Sequence, residues 1–159
     1  MIISTFPPFC CVRLSDHTTS QFGVSFTDIT LFHTIELYFS LTGTIPKEIS
    51  MMSNLQHFIA FGNNLTGTIP PIETMSELKG LLVYSNSLTG TIPEFLGDME
   101  SLDAVIISDN DISGTIPTEL AKLNNLLWLG LEYMELDGTI PSALAQLPSL
   151  QNLQLSKFV

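Results

Sequence analysis

The sequence predicts an α/β solenoid, a short arc of parallel strands backed by short helical or 3₁₀ turns. Three observations point there. The string Gly-Thr-Ile-Pro begins at Gly43, Gly67, Gly90, Gly114 and Gly138, at spacings of 24, 23, 24 and 24 residues, and self-similarity at such a period marks stacked supersecondary units. Apolar residues around each copy recur first at a spacing of two and then of three. An asparagine recurs between them, at Asn63, Asn86 and Asn110.

The pattern is cleanest in Leu102, Val105, Ile107, Asn110, Ile112, Gly114, Ile116, Pro117, Leu120 and Leu123. The spacing of two puts Val105 and Ile107 on one face of a short strand, and the later spacing of three suits a helical or 3₁₀ turn. Equivalent residues are Leu55, Phe58, Ala60, Asn63, Leu65, Ile69, Ile72 and Met75 in one unit. Leu78, Leu81, Val83, Asn86, Leu88, Ile92, Leu96 and Met99 repeat them, and a fourth unit runs from Leu126 to Leu147. No single unit closes a core, whereas stacked units bury their Leu and Ile positions against one another. The result is a parallel sheet on the concave side and turns on the convex side. Six strands about 4.8 Å apart span roughly 24 Å.

The recurring asparagine sits where the chain bends inward after the strand, so its amide is expected to bond backbone groups of adjacent turns. Met134 takes that position in the last full unit and Phe158 in the partial one. The ladder stops there, and buried backbone groups without partners cost about 1 to 3 kcal/mol each. The C-terminal end is therefore expected to be the looser one.

Residues 1–30 read as an irregular, degenerate N-terminal cap, and 31–159 as the repeat domain: about five repeats plus a partial sixth strand. Ile35-Glu36-Leu37 forms the first strand of a degenerate unit, because Leu41 arrives one residue early. Leu150, Leu153 and Leu155 open a unit that ends at Val159 without a polar cap, as in a fragment or truncated reading frame.

Composition excludes several function classes. The 159 residues carry 16 acidic and 5 basic side chains, a net charge of −11. Nucleic acids and anionic membrane surfaces are bound by neutralising them with Lys and Arg, so neither is a partner. The longest clean apolar run, Leu126 to Leu131, falls far short of the roughly 20 residues needed to span a bilayer. Met1 to Val12 is apolar but lacks a basic start and is interrupted by Pro7-Pro8, a poor signal peptide. Cys10 and Cys11 are adjacent, which disfavours a disulfide between them and founds no zinc site.

The segment Leu-Thr-Gly-Thr-Ile-Pro, as at Leu65 to Pro70 and Leu88 to Pro93, resembles the plant-type subclass of leucine-rich repeats over residues 31–159. Receptor-like kinases, receptor-like proteins and polygalacturonase-inhibiting proteins belong to this subclass, and similar repeats abound in microalgae such as diatoms. The resemblance implies a horseshoe segment and extracellular recognition by binding without catalysis or cofactor. Gln21 to Phe26 looks like a worn form of the family's N-terminal cap motif, with Phe26 where a cysteine would stand. The chain carries no Gly-rich phosphate loop, His-Arg-Asp stretch or Asp-Phe-Gly, so it is not itself a kinase.

Residues alternating with the buried strand positions face the concave side, the usual ligand surface of such arcs. One column reads Tyr38, Phe61, Tyr84, Ser108, Glu132 and Ser156. The next reads Glu36, Ile59, Leu82, Ile106, Gly130 and Gln154, and a third His57, Gly80, Ala104, Trp128 and Asn152. Tyr38, Ile59, Phe61, Leu82, Tyr84 and Ile106 are expected to form an apolar, aromatic patch flanked by Trp128, Tyr133, Glu132 and Asp109. Such patches mark partner sites, although β-branched and aromatic residues also simply favour strands.

Other features carry less. Thr42/Thr44, Thr66/Thr68, Thr89/Thr91, Ser113/Thr115 and Asp137/Thr139 straddle successive glycines, and outward hydroxyls at that period would make a flat array of the kind ice-binding solenoids present. It is equally the repeat signature. Asp109-Asn110-Asp111 and Asp98, Glu100 and Asp103 match no calcium loop. His17, His33 and His57 are dispersed, and no nucleophile pairs with His57. Asn64-Leu65-Thr66 fits a glycosylation acceptor and equally the repeat consensus. Taken together, the sequence predicts a binding module for a protein, peptide or glycan, at the cell surface or outside the cell where a signal or anchor exists in the full gene. The alternative is a structural remnant with no ligand of its own.

Overall fold

The computed structural model describes residues 11–14, 33–37 and 40–155. Twelve short strands follow one another among the described residues: β1 Cys11–Leu14, β2 Thr34–Leu37, β3 Thr42–Thr44, β4 His57–Ile59, β5 Asn64–Gly67, β6 Gly80–Leu82, β7 Ser87–Thr91, β8 Ala104–Ile106, β9 Asp111–Gly114, β10 Trp128–Leu131, β11 Glu135–Leu136 and β12 Asn152–Leu155. Alternate strands belong to different sheets. A seven-stranded sheet runs β1-β2-β4-β6-β8-β10-β12 and a five-stranded one β3-β5-β7-β9-β11, with every pair parallel. Each circuit of the chain thus makes one rung: a strand of the concave sheet, a bend, a strand of a flanking sheet and a convex turn.

The convex turns are 3₁₀ helices at Lys47–Met51, Glu94–Asp98, Thr118–Lys122 and Ser142–Gln146, each entered from a proline. The proline holds the extended conformation that precedes the turn and has no N–H to leave unbonded. A buried Ile or Leu sits three residues after it, at Ile49, Leu96, Leu120 and Leu144. In the rung that follows Pro70 the buried residue, Ile72, comes after only two, and no 3₁₀ helix forms. This is the 23-residue unit. Beside it lies a small apolar cavity of about 10 Å³, lined among others by Ile45, Phe58, Ile69, Ile72 and Met75.

The core is the column of repeated aliphatic residues. Leu55, Leu78, Leu102 and Leu126 are fully buried, as are Leu65, Leu88 and Ile112 on the next column. Met52, Met75, Met99 and Leu123 close it beneath the convex turns.

Asparagine amides pin the bend on three rungs. Asn86 Nδ2 donates to the carbonyls of Val83 and Tyr84 in its own rung and of Ala60 in the preceding one, at 3.0, 3.2 and 2.9 Å. Its Oδ1 accepts from Leu65 N–H at 3.0 Å. Asn63 and Asn110 repeat the same four bonds, Asn63 through Leu37, Ala60, Phe61 and Leu41 and Asn110 through Val83, Ile107, Ser108 and Leu88. Met134, buried at the equivalent place, has neither group to offer.

Two features depart from the sequence-based expectation. Cys11–Leu14, placed in the irregular cap, pairs in parallel with β2 along its whole length, because the outer edge of β2 presents backbone donors and acceptors to an extended segment. The flanking sheet is the second. The Thr-Gly-Thr segments, read as an outward-facing extended signature without partners of their own, form strands that pair with the next unit: Thr89 lies against Asp111, Gly90 against Ile112 and Thr91 against Ser113. The register is offset by two residues from repeat equivalence. Glycine makes this possible at Gly67 and Gly90, whose φ of +77° and +88° disfavours L side chains. The methyl of Thr44 or Thr68 in the preceding rung also comes within 2.9 Å of where a Cβ would stand.

Candidate functional site

The concave sheet aligns its outward residues in register. Ile59 pairs with Leu82 and Leu82 with Ile106, making one continuous, half-buried aliphatic column. In the next column Phe61 and Tyr84 stack face to face, ring centroids 4.6 Å apart and planes within 7°. An aromatic pair of this kind contributes about 0.5 to 1.5 kcal/mol beyond its buried area, so the two rings form a fixed platform. Tyr38, assigned to the same column, lies outside the described residues.

The platform has a boundary that the columns did not foretell. Ser108, next after Tyr84, is buried, and its hydroxyl accepts the Glu132 N–H at 3.2 Å. Gly130, next after Ile106, has no side chain; a Cβ there would come within 2.9 Å of Ile106 Cγ2 and 3.1 Å of Ser108 Oγ. The apolar surface therefore stops at the fourth rung. Beyond it Trp128, 39% exposed, donates its indole N–H to Gln154 Oε1 at 3.2 Å. Glu132 is half-buried on the same rung. Ser108, Gly130 and Gln154 were placed in the outward columns by spacing, but what each meets on the neighbouring rung was not legible there.

The rim is formed by residues with left-handed backbones. Ser85, Asp109 and Tyr133 have φ of +53°, +54° and +55°, each just before the ladder position. Asp109 N–H donates to the Glu132 carbonyl at 2.8 Å, which brings the two acidic residues onto adjoining rungs. Tyr133 is 70% exposed. His57, at the other end, leans across Gly80, where a Cβ would meet its Cδ2 at 2.9 Å. It does not reach the Trp128 end, being three rungs away.

The other sequence candidates are separate from this face. Asn64 is exposed on the flanking sheet, and Thr66 Oγ1 beside it donates to the Gly43 carbonyl at 3.3 Å. Thr89 and Ser113 make the same bond to Gly67 and Gly90, so one hydroxyl column ties rung to rung. Thr44, Thr68, Thr91, Thr115 and Thr139 are exposed. Asp98 pairs with Lys122 at 2.7 Å across the convex side, and that hydrogen bond and the opposite charge raise the lysine's pKa. An ion pair so exposed adds little stability. Among the described residues no three His, Cys, Asp or Glu side chains converge as a metal site, and no helix is long and apolar enough to cross a membrane.

A family model described as the EGF-like domain-containing protein ComC LRR domain matches residues 16–124. The chain belongs to the leucine-rich-repeat family. Solved structures of leucine-rich-repeat receptors superpose on it. The ectodomain of the Arabidopsis receptor kinase HAESA, in complex with an N-terminally extended IDA peptide hormone, is 34% identical with a TM-score of 0.78, over 81% of this chain and 22% of that one. The plant peptide hormone receptor RGFR1, in complex with RGF2, gives 31%, 0.74, 81% and 22%. A plant ice-binding protein gives 35% and 0.67 over 72% of this chain and 39% of that one. The chain thus spans about a fifth of the length of the HAESA and RGFR1 chains. No curated protein sequence matches it.

Proposed function

We propose that this leucine-rich-repeat segment is a non-catalytic recognition module that binds an extended protein or peptide segment across its concave face, outside the cell. The observation that carries this is the stacked Phe61–Tyr84 platform beside the Ile59-Leu82-Ile106 column. A half-exposed aromatic and aliphatic surface held in register gains when a partner covers it, and aromatic anchors dominate interface energies. Ligand complexes of the similar receptors HAESA and RGFR1 with peptide hormones support the same partner class. Selection of a displayed library of random twelve-residue peptides on the immobilised chain tests it. Phe61→Ala with Tyr84→Ala is expected to abolish capture of the selected peptides while the melting transition persists. Peptides held equally well by the double variant would sink the reading.

A second reading is favoured by the exposed Thr44, Thr68, Thr91, Thr115 and Thr139, one per rung, and by the likeness to a plant ice-binding protein. It assigns the flanking face to ice. Thermal hysteresis is then expected in the unaltered chain and is reduced by Thr68→Tyr and Thr91→Tyr; freezing behaviour equal to that of a globular control at the same concentration ends it.

A further inference from the structure

The concave face is acidic at the end where its aromatic platform stops. The outward residues of β4 to β12 and the bends that follow these strands include the carboxylate of Glu132, with Asp109 on the adjoining rim, and no Lys or Arg among the described ones, while Arg13 is in register with Glu36 at the opposite edge of the sheet. Of the chain's five cations, Arg13 is on β1 at the far edge of the sheet, Lys47 and Lys122 stand in the convex turns, where Lys122 is taken by Asp98, Lys79 precedes β6 and contacts Gln56 Oε1 at 3.5 Å, and Lys157 lies outside the described residues. Asp109 and Glu132 are joined through their backbones at 2.8 Å, and no cation among the described residues pairs with either carboxylate. They lie at the edge where the aromatic platform ends, with the exposed faces of Trp128 and Tyr133 on the rung of Glu132. We propose, building on the concave-face reading above, that the partner is a cationic peptide: an extended segment whose apolar side chains cover Phe61, Tyr84 and Leu82 and whose Lys or Arg is held by Asp109 and Glu132.

The chemistry fits at each step. A guanidinium or ammonium beside two carboxylates makes charge-assisted hydrogen bonds, about twice as strong as neutral ones, and the aromatic faces nearby attract the same cation. An acidic or sulfated segment is repelled from this end by the same carboxylates and by the chain's net charge of −11. Along an extended segment alternate side chains face the sheet, so one apolar residue on the platform and a base further along engage together.

Trp128 is the only tryptophan, so its fluorescence reports occupancy at this end of the face. The probe is a twelve-residue peptide of alternating Leu and Ser carrying one Arg, compared with peptides in which Glu or citrulline replaces the Arg. The Arg peptide is expected to perturb Trp128 and to bind roughly ten-fold more tightly than its citrulline form, an advantage that shrinks as salt is raised. Asp109→Asn with Glu132→Gln removes the advantage and leaves the melt unchanged, since Asn tolerates the left-handed backbone at position 109. Equal binding of the Arg, citrulline and Glu peptides, still abolished by Phe61→Ala with Tyr84→Ala, overturns the cationic partner and leaves the concave-face reading standing. Arg-dependent binding indifferent to Phe61 and Tyr84 overturns both, and so does no binding by any of the three together with an empty library selection.

Discussion

Asn110→Ala is expected to lower the unfolding free energy by about 3 kcal/mol. The substitution removes four hydrogen bonds at once: three from Nδ2, to Val83, Ile107 and Ser108, and one accepted from Leu88 N–H. Asn110 is 6% exposed, so water does not reach all of the groups left behind. Each net bond contributes about 1 kcal/mol, and a buried donor left without an acceptor costs more than that mean. Ser108 O retains the Ser85 N–H, which limits the loss. Urea unfolding followed by circular dichroism gives the number, and a loss under 1 kcal/mol would show that the backbone bends without its pin.

The second large effect lies on the opposite side of the arc. Gly97 is buried in the 3₁₀ turn Glu94–Asp98, and a Cβ there would run into the carbonyl of Glu119 in the next turn. Backbone atoms cannot rotate aside as a side-chain tip can. Gly97→Ala must therefore push the convex turns of two rungs apart, at a cost of about 3 kcal/mol. Gly43→Ala is the comparison: its φ is +93° but nothing stands within 4 Å of the added carbon, so only backbone strain, about 1 to 2 kcal/mol, is expected. Thermal melts of both variants decide the matter. Equal losses would mean that the contact with Glu119 relaxes freely.

The rung was legible in the sequence because its chemistry is local and repeated. Gly-Thr-Ile-Pro gave the period, the spacing from Val105 to Ile107 gave a strand facing inward, and the register of the concave columns followed from aligning the units. What escaped depends on how one rung meets the next. Thr66, Gly67 and Thr68 read as an extended signature, but that Thr66 and Gly67 pair with the neighbouring unit two residues out of step could be seen only with both rungs side by side. Gly97 stands alone in a turn, and nothing nearby in sequence announces that Glu119 lies against it. Ser108 belongs by spacing to an outward column, yet its hydroxyl turns to the Glu132 amide and is covered. Ile72, one residue early after Pro70, was visible as the 23-residue spacing, and its outcome, a turn without a 3₁₀ helix, required the packing.

Both sheets direct their hydrogen bonds along the stacking axis, and the substantial packing between elements joins only adjacent rungs. A tension applied along that axis is therefore borne by each interface in series, so the weakest yields first and its neighbours are unloaded. Every rung that peels away frees 23 or 24 residues, roughly 80 Å of slack chain. Mechanically the molecule is a ratchet of fuses, lengthening in nearly equal steps and guarding the stack behind each step from the force that opened it.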